Sequence, residues 1–212
     1  MESGRYVKQR NKVLAERVIR ALGTRNMTGY YAADRQEALA AALSLIPEGS
    51  RIAMGGCLTA HEIGLVQALK AGNYDFIDYG EEDPRETELK AYSADIYLSS
   101  ANAMSEDGVL VNIDGNSNRV SAIAYGPKKL IVLCSLNKVC PDTDSAMKRA
   151  RNVAAPLNAL RFQGVRSVPC QKTGSCLNCR TPDTLCCQIL ITRYSRRRDR
   201  IHVILIDEEL GF

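Results

Sequence analysis

The sequence predicts an α/β fold, a mostly parallel sheet with helices on both faces. Three observations predict it. Helical and strand-like stretches alternate along the chain. The strand candidates are short apolar runs, such as Lys129 to Cys134 and Ile201 to Ile206, as strands buried on both faces require. The length of 212 residues, with 45% hydrophobic and 25% charged residues, provides a core for one domain, taken as 1–212.

Each element has a local cause. Residues 3–23 form an amphipathic helix, with Tyr6, Val13, Leu14, Val18 and Leu22 on one side and Gly23 as its stop. It serves as scaffold or as a packing surface for another subunit, which allows a homo-oligomer. Residues 27–32 form a strand. Asp34 caps a helix running from Arg35 to Leu45, and Glu37 completes a capping-box pattern. The strand Arg51 to Met54 runs into Gly55-Gly56-Cys57-Leu58-Thr59, and a helix follows to about Lys70. Tyr74 to Asp78 is a strand, Pro84 to Ser93 a helix, and Asp95 to Ser99 a strand. Val109 to Ile113 is strand-forming, with the turn signal Asp107-Gly108 before it. Asp142 starts a long helix to about Leu160, broken or kinked near Pro156.

Net charge is +4, much of it in the run Arg193 to Arg200, read as a solvated loop between two strands. No aromatic platform accompanies that run, so nucleic acid is not the expected partner. The N-terminal residues lack the apolar centre of a signal peptide, and no run of about 18 apolar residues occurs. A cytoplasmic protein with no membrane segment is therefore expected. The eight cysteines are then thiols or metal ligands rather than disulfides.

Two polar turns carry the candidate ligand site. At Asp114-Gly115-Asn116-Ser117-Asn118-Arg119 the turn gathers Asp114, Asn116, Asn118 and Arg119: one acid, two amides and a planar cation. A solvated hairpin turn is the plain reading of the same residues. At Gly55-Gly56-Cys57-Leu58-Thr59 a strand meets a helix, where an open α/β sheet places ligands. Gly55 and Gly56 allow close backbone approach. Thr59 can cap the helix, with Glu62 at capping-box spacing. Cys57 lines the pocket as a redox-sensitive thiol, and His61, one turn into the helix, is a candidate base. Lys138 follows a strand and can hold an anion, although a solvated lysine is the default.

The sharpest chemical signal is the cysteine segment at 168–188. Cys170, Cys176, Cys179 and Cys186 are spaced C-x5-C-x2-C-x6-C, with Cys187 adjacent and able to replace Cys186. Four thiolates suit a tetrahedral zinc site or a [4Fe–4S] cluster. Zinc sites usually have two short-spaced pairs and here there is one, which favours iron–sulfur. Unligated or disulfide-linked thiols are the third reading. Cys134 and Cys140 read as strand-end and loop thiols.

The run Asn102-Ala-Met-Ser-Glu-Asp-Gly-Val-Leu-Val-Asn-Ile-Asp-Gly-Asn-Ser-Asn-Arg-Val120, followed by Gly126-Pro-Lys-Lys129, resembles the lactate-utilisation (LUD) domain family. The likeness extends from about Met54 to Leu210-Gly211-Phe212. At the glycine turn the family reads G-G-S-x-T-x-x-E-I-G, and this chain has Cys57 in place of the serine. The resemblance implies a three-layer fold of the sugar-isomerase/CoA-transferase type. It also implies a component of lactate or related organic-acid oxidation, working with iron–sulfur redox subunits and binding a small organic acid or phosphate. In that reading Arg119 clamps the anion and Asp114 orients a hydroxyl or acts as base. Electron transfer would run through the cluster. No nicotinamide or flavin fingerprint accompanies these residues, so turnover by this chain alone is not established by them. The other readings are a non-catalytic ligand-binding or assembly module with structural zinc, and, by fold analogy only, an isomerase or transferase.

Overall fold

The structure is a computed structural model that describes residues 2–77 and 84–212. Its elements in order are α1 (Glu2–Thr24), β1 (Thr28–Ala32), α2 (Arg35–Ser44), β2 (Arg51–Met54), α3 (Leu58–Glu62), α4 (Leu65–Ala71), β3 (Asp75–Phe76), α5 (Pro84–Lys90) and β4 (Ile96–Ser99). Then follow β5 (Ala103–Ser105), β6 (Leu110–Asp114), α6 (Asn118–Ala124), β7 (Lys129–Ser135), β8 (Val139–Cys140), α7 (Thr143–Arg149), α8 (Ala155–Leu160), α9 (Cys170–Thr173), β9 (Gln188–Thr192) and β10 (Ile201–Ile206). Asp78, expected to end a strand, lies outside the described residues.

Six strands form one sheet in the order β1-β10-β7-β4-β2-β3, every pairing parallel. The alternation of its central strands feeds two cores. Val203, Leu205, Leu130, Val132 and Cys134 pack on one face with Leu14, Val18 and Leu22 of α1 and Ile123 of α6. Ile204, Ile206, Ile131 and Leu133 pack on the other with Ala38, Ala42, Leu65 and Leu69 of α2 and α4. This is the three-layer α/β arrangement.

A second sheet was not legible beforehand. It has the order β8-β5-β6-β9, with β6 antiparallel to both β5 and β9. Its Ala103, Val111 and Ile113 pack on Ala146 and Ala150. Strand β9 immediately follows the cysteine segment and ties it to the domain. Leu110 pairs with Thr192 and Asp114 with Gln188.

Several local expectations change. Tyr6 and Val13 are exposed, so the buried stripe of α1 is Leu14, Ala15, Val18 and Leu22. Asp34 caps α2 by accepting from Gln36 N and Glu37 N, but the Glu37 carboxylate accepts from Ala33 N, one residue before the cap. The helix after the glycine turn is two pieces, because Gly64 is left-handed (φ 78°) between α3 and α4. Asp142 accepts from Ser145 N at the start of α7, as expected. The break expected near Pro156 is a π-helical stretch at Ala150–Ala154, a widened turn next to a residue with no N–H to donate. No helix among the described residues is long and apolar enough to cross a membrane.

Candidate functional site

A cavity of about 460 Å³ opens beyond the carboxyl ends of β2, β4, β7 and β10, the place an open parallel sheet offers a ligand. Each strand contributes the residues just after it. Gly56, Cys57 and Thr59 come from β2, Ser100 and Asn102 from β4, Lys138 from β7, and Gly211 and Phe212 from beyond β10. The turn after β6 closes one side with Asp114, Asn116, Asn118 and Arg119, and Arg161, Phe162 and Arg166 close another. The two turns singled out in the sequence therefore meet across one space.

Within it the roles differ from those expected. Asp114 is 8% exposed and both carboxylate oxygens are engaged. Oδ1 accepts from Gly115 N at 2.9 Å and Oδ2 from Val120 N at 2.9 Å. The cap position itself is held by Ser117 in the left-handed region (φ 67°), with no side-chain bond to the helix. Asp114 thus starts α6 from outside the cap. That is a structural task, and the turn is a strand-to-helix junction rather than a hairpin. Asn118 donates to Glu88 Oε1 at 2.6 Å, and Asn116 is exposed at the mouth. Arg119 is half-buried, donates to Ile113 O and lines the cavity. Gly55 does not line it but makes room for this arginine. A Cβ there would sit 2.7 Å from Arg119 Cγ and 2.6 Å from Tyr97 Oη.

On the opposite wall, Cys57 occupies the cap position of α3 without a side-chain bond, so Thr59 does not cap it. Glu62 instead accepts from Gly211 N at 2.7 Å, which holds the C-terminal residues against α3. His61 is exposed and is not part of the lining, which leaves the expected base out of reach of the cavity. Burial raises the Cys57 thiol above its ordinary value, although Lys138 and Arg119 pull it the other way. The thiol is therefore protonated, not an activated nucleophile.

Lys138 departs most from its default. It is 1% exposed, and its hydrogen bond is to Ser100 Oγ at 3.1 Å. Burial lowers its pKa, and Arg149 adds to this. Thr59 Oγ1 is the one buried side-chain polar atom without a hydrogen-bond partner among the described residues.

The cysteine segment encloses a second cavity of about 130 Å³, lined by Cys170, Cys176, Cys179 and Cys186 together with Arg151, Asn178 and Thr184. Gly174 (φ 67°) and Asn178 (φ 53°) take left-handed backbone that folds the segment back on itself. Cys176 Sγ accepts from Asn178 N at 3.4 Å and from Arg151 Nη2 at 3.6 Å. Arg151 lies in the π-helical stretch, whose widened turn sets it beside this sulfur. Burial and then the nearby thiols of Cys176, Cys179 and Cys170 push Cys186 up to about 11. Cys187 lines only the larger cavity. Among the described residues no three His, Cys, Asp or Glu side chains converge on a point suited to one metal ion. Ile113, Ala155, Thr184 and Cys186 line both cavities, so one wall separates them. The shared wall was not predicted, and β9 was implied only as the strand before the arginine run, since its exposed Ile189 and Ile191 give no signal of burial.

No match is found among curated proteins. A solved structure of a DUF162 family protein from Deinococcus radiodurans is similar, with a TM-score of 0.55 at 10% identity, covering 92% of this chain and 98% of that one. At that identity the likeness concerns the fold alone. That of eIF2B delta from Chaetomium thermophilum has a TM-score of 0.36 at 17% identity, with 53% and 52% covered, and carries no argument. The model of the LUD domain family matches residues 15–206. With that match spanning most of the chain, and the three-layer parallel sheet beneath it, this protein belongs to the LUD domain family.

Proposed function

We propose that this LUD domain is a redox component of organic-acid metabolism. It binds an anionic ligand in the larger cavity and a [4Fe–4S] cluster in the smaller one. The observation that carries the reading is the shared wall. A thiol-lined cavity abuts a cation-lined one, with Cys186 and Ile113 facing both.

The donor set fits a cluster better than a lone zinc ion. Zinc draws four sulfurs to about 2.3 Å from one point. Here four thiols surround an open space of about 130 Å³ instead. A cluster, when bound, supplies one-electron transfer. The N–H groups of Arg151 and Asn178 donate to Cys176 and hold that ligand in place. Cys170, Cys176, Cys179 and Cys186 are the ligands in this reading, and Cys187 stays outside. Arg119, Lys138, Arg161 and Arg166 give the larger cavity its preference for anions.

The test is anaerobic purification of the full chain, followed by its ultraviolet–visible spectrum and iron, sulfide and zinc analysis. Broad absorbance near 400 nm, roughly, that dithionite bleaches supports the reading. One zinc and no iron would replace it with a structural site.

A further inference from the structure

The larger cavity has an inner end that its other functions do not explain. Lys138 is buried with only a hydroxyl, Ser100 Oγ, as hydrogen-bond partner among the described residues. Thr59 is 1% exposed, and its Oγ1 has no hydrogen-bond partner among the described residues. Both point to the same small space beside Gly211. A Cβ on Gly211 would lie 2.6 Å from Thr59 Oγ1 and 2.9 Å from Lys138 Nζ. Glu62 fixes this glycine by accepting from its N–H, and Ser135 Oγ accepts from Leu210 N beside it. Only a residue without a side chain lets the ammonium and the hydroxyl pack this close, and all three residues line the cavity, with donor capacity on Lys138 and Thr59 unspent. Leaving a buried charge and a buried hydroxyl so poorly satisfied is costly unless something else completes them.

The cationic groups continue outward. Arg119 is half-buried, Arg166 is half-buried and Arg161 is exposed at the mouth. Among the described residues the one Asp or Glu side chain in the lining, Asp114, has both oxygens occupied by backbone N–H groups, and Arg166 pairs with Asp183 at 3.7 Å. The cavity is also far larger than an acid of lactate size needs, and falls within the roughly 300–1,000 Å³ of sites for larger ligands.

We propose that the ligand is a multiply charged oxyanion, phosphorylated or polycarboxylic, whose innermost charged group sits between Lys138 Nζ and Thr59 Oγ1 beside Gly211. Its outer charge meets Arg161 and Arg166. The proposal rests on the larger cavity being the ligand site, as above, and is independent of the cluster.

The experiment is calorimetric titration of the anaerobically purified full chain, at constant ionic strength, with inorganic pyrophosphate, citrate and L-lactate. Pyrophosphate or citrate is expected to bind at least about tenfold more tightly than lactate, and whichever of the two binds tighter separates phosphate from carboxylate chemistry. Lys138→Met and Thr59→Val each keep the side-chain shape and are expected to weaken that binding at least about tenfold. Lys138→Met is also expected to raise the melting temperature of the ligand-free protein, which a structural lysine would not do. The variant Arg161→Gln with Arg166→Gln is expected to weaken pyrophosphate and citrate binding at least about tenfold and so lose the preference for the larger anions. Lactate binding as tightly as pyrophosphate and citrate would overturn the ligand class. Undiminished binding by both Lys138→Met and Thr59→Val would overturn the inner seat while leaving the cavity a ligand site. Failure of all three anions to bind would overturn the seat and the anion reading together, whatever the metal content.

Discussion

A lysine ammonium held 1% exposed beside one hydroxyl lowers the stability of the fold that contains it. The pH dependence of that penalty has a definite sign. The unfolded chain keeps the Lys138 proton up to about its ordinary value of 10.5, whereas burial makes the folded chain release it at lower pH. Between those values the unfolded state binds more protons, so raising the pH favours the folded state. Cys57, Cys134, Arg149 and Glu62 are the charged or titratable groups acting on it, and Lys138→Met leaves all of them in place. The stability deficit of wild type against Lys138→Met should therefore shrink as pH rises toward 10.5. Chemical denaturation of both proteins across that range checks this, and a constant deficit would contradict it. Asp114 illustrates the opposite case, a site-like carboxylate that serves the backbone. Asp114→Ala should cost about 1–2 kcal/mol by freeing the N–H groups of Gly115 and Val120. An unchanged urea midpoint would show that the contacts contribute nothing. In the sequence Lys138 reads as an anion ligand with a solvated lysine as the default, and Asp114 as a candidate base or part of a solvated turn, because neither depth nor the partner of an oxygen is encoded in spacing.

At the scale of elements, the sequence announced those held by local signals. Asp34 and Asp142 are helix starts whose side chains accept from the N–H groups two or three residues on. The central strands were legible because burial on both faces requires continuous apolar runs. Elements that depend on distant partners were not. Strand β9 is an edge strand recruited by β6, and its burial pattern is largely exposed. The arginine run divides in the same way. It is a loop between β9 and β10, as its composition suggests, but its last member, Arg200, is 5% exposed. Arg200 donates to Pro127 O, Ile123 O and Ala122 O, closing the C-terminal end of α6 against β10. Arg200→Met should cost about 2–4 kcal/mol, since three carbonyls lose a charged donor in a buried place. A melting temperature within about 1 °C of wild type would contradict that role.

For the molecule as a whole, the parallel sheet and the cysteine segment are separable. The six strands carry both hydrophobic cores, while Cys170, Cys176, Cys179 and Cys186 all lie between Pro169 and β9, outside those cores. Cys176→Ser with Cys179→Ser should therefore remove bound metal while leaving the sheet folded, as circular dichroism and metal analysis on one sample would show. Loss of the fold along with the metal would mean that the segment is part of the core. The same arrangement places the thiol-lined cavity against the larger, cation-lined one, so that the proposed redox centre and anion would share a wall through Cys186. The direct measurement of that claim is the spectrum and metal content of the full chain purified without oxygen. The account predicts a brown protein with about four iron and four acid-labile sulfide per chain. Stoichiometric zinc without iron, or a colourless protein free of metal, would contradict it.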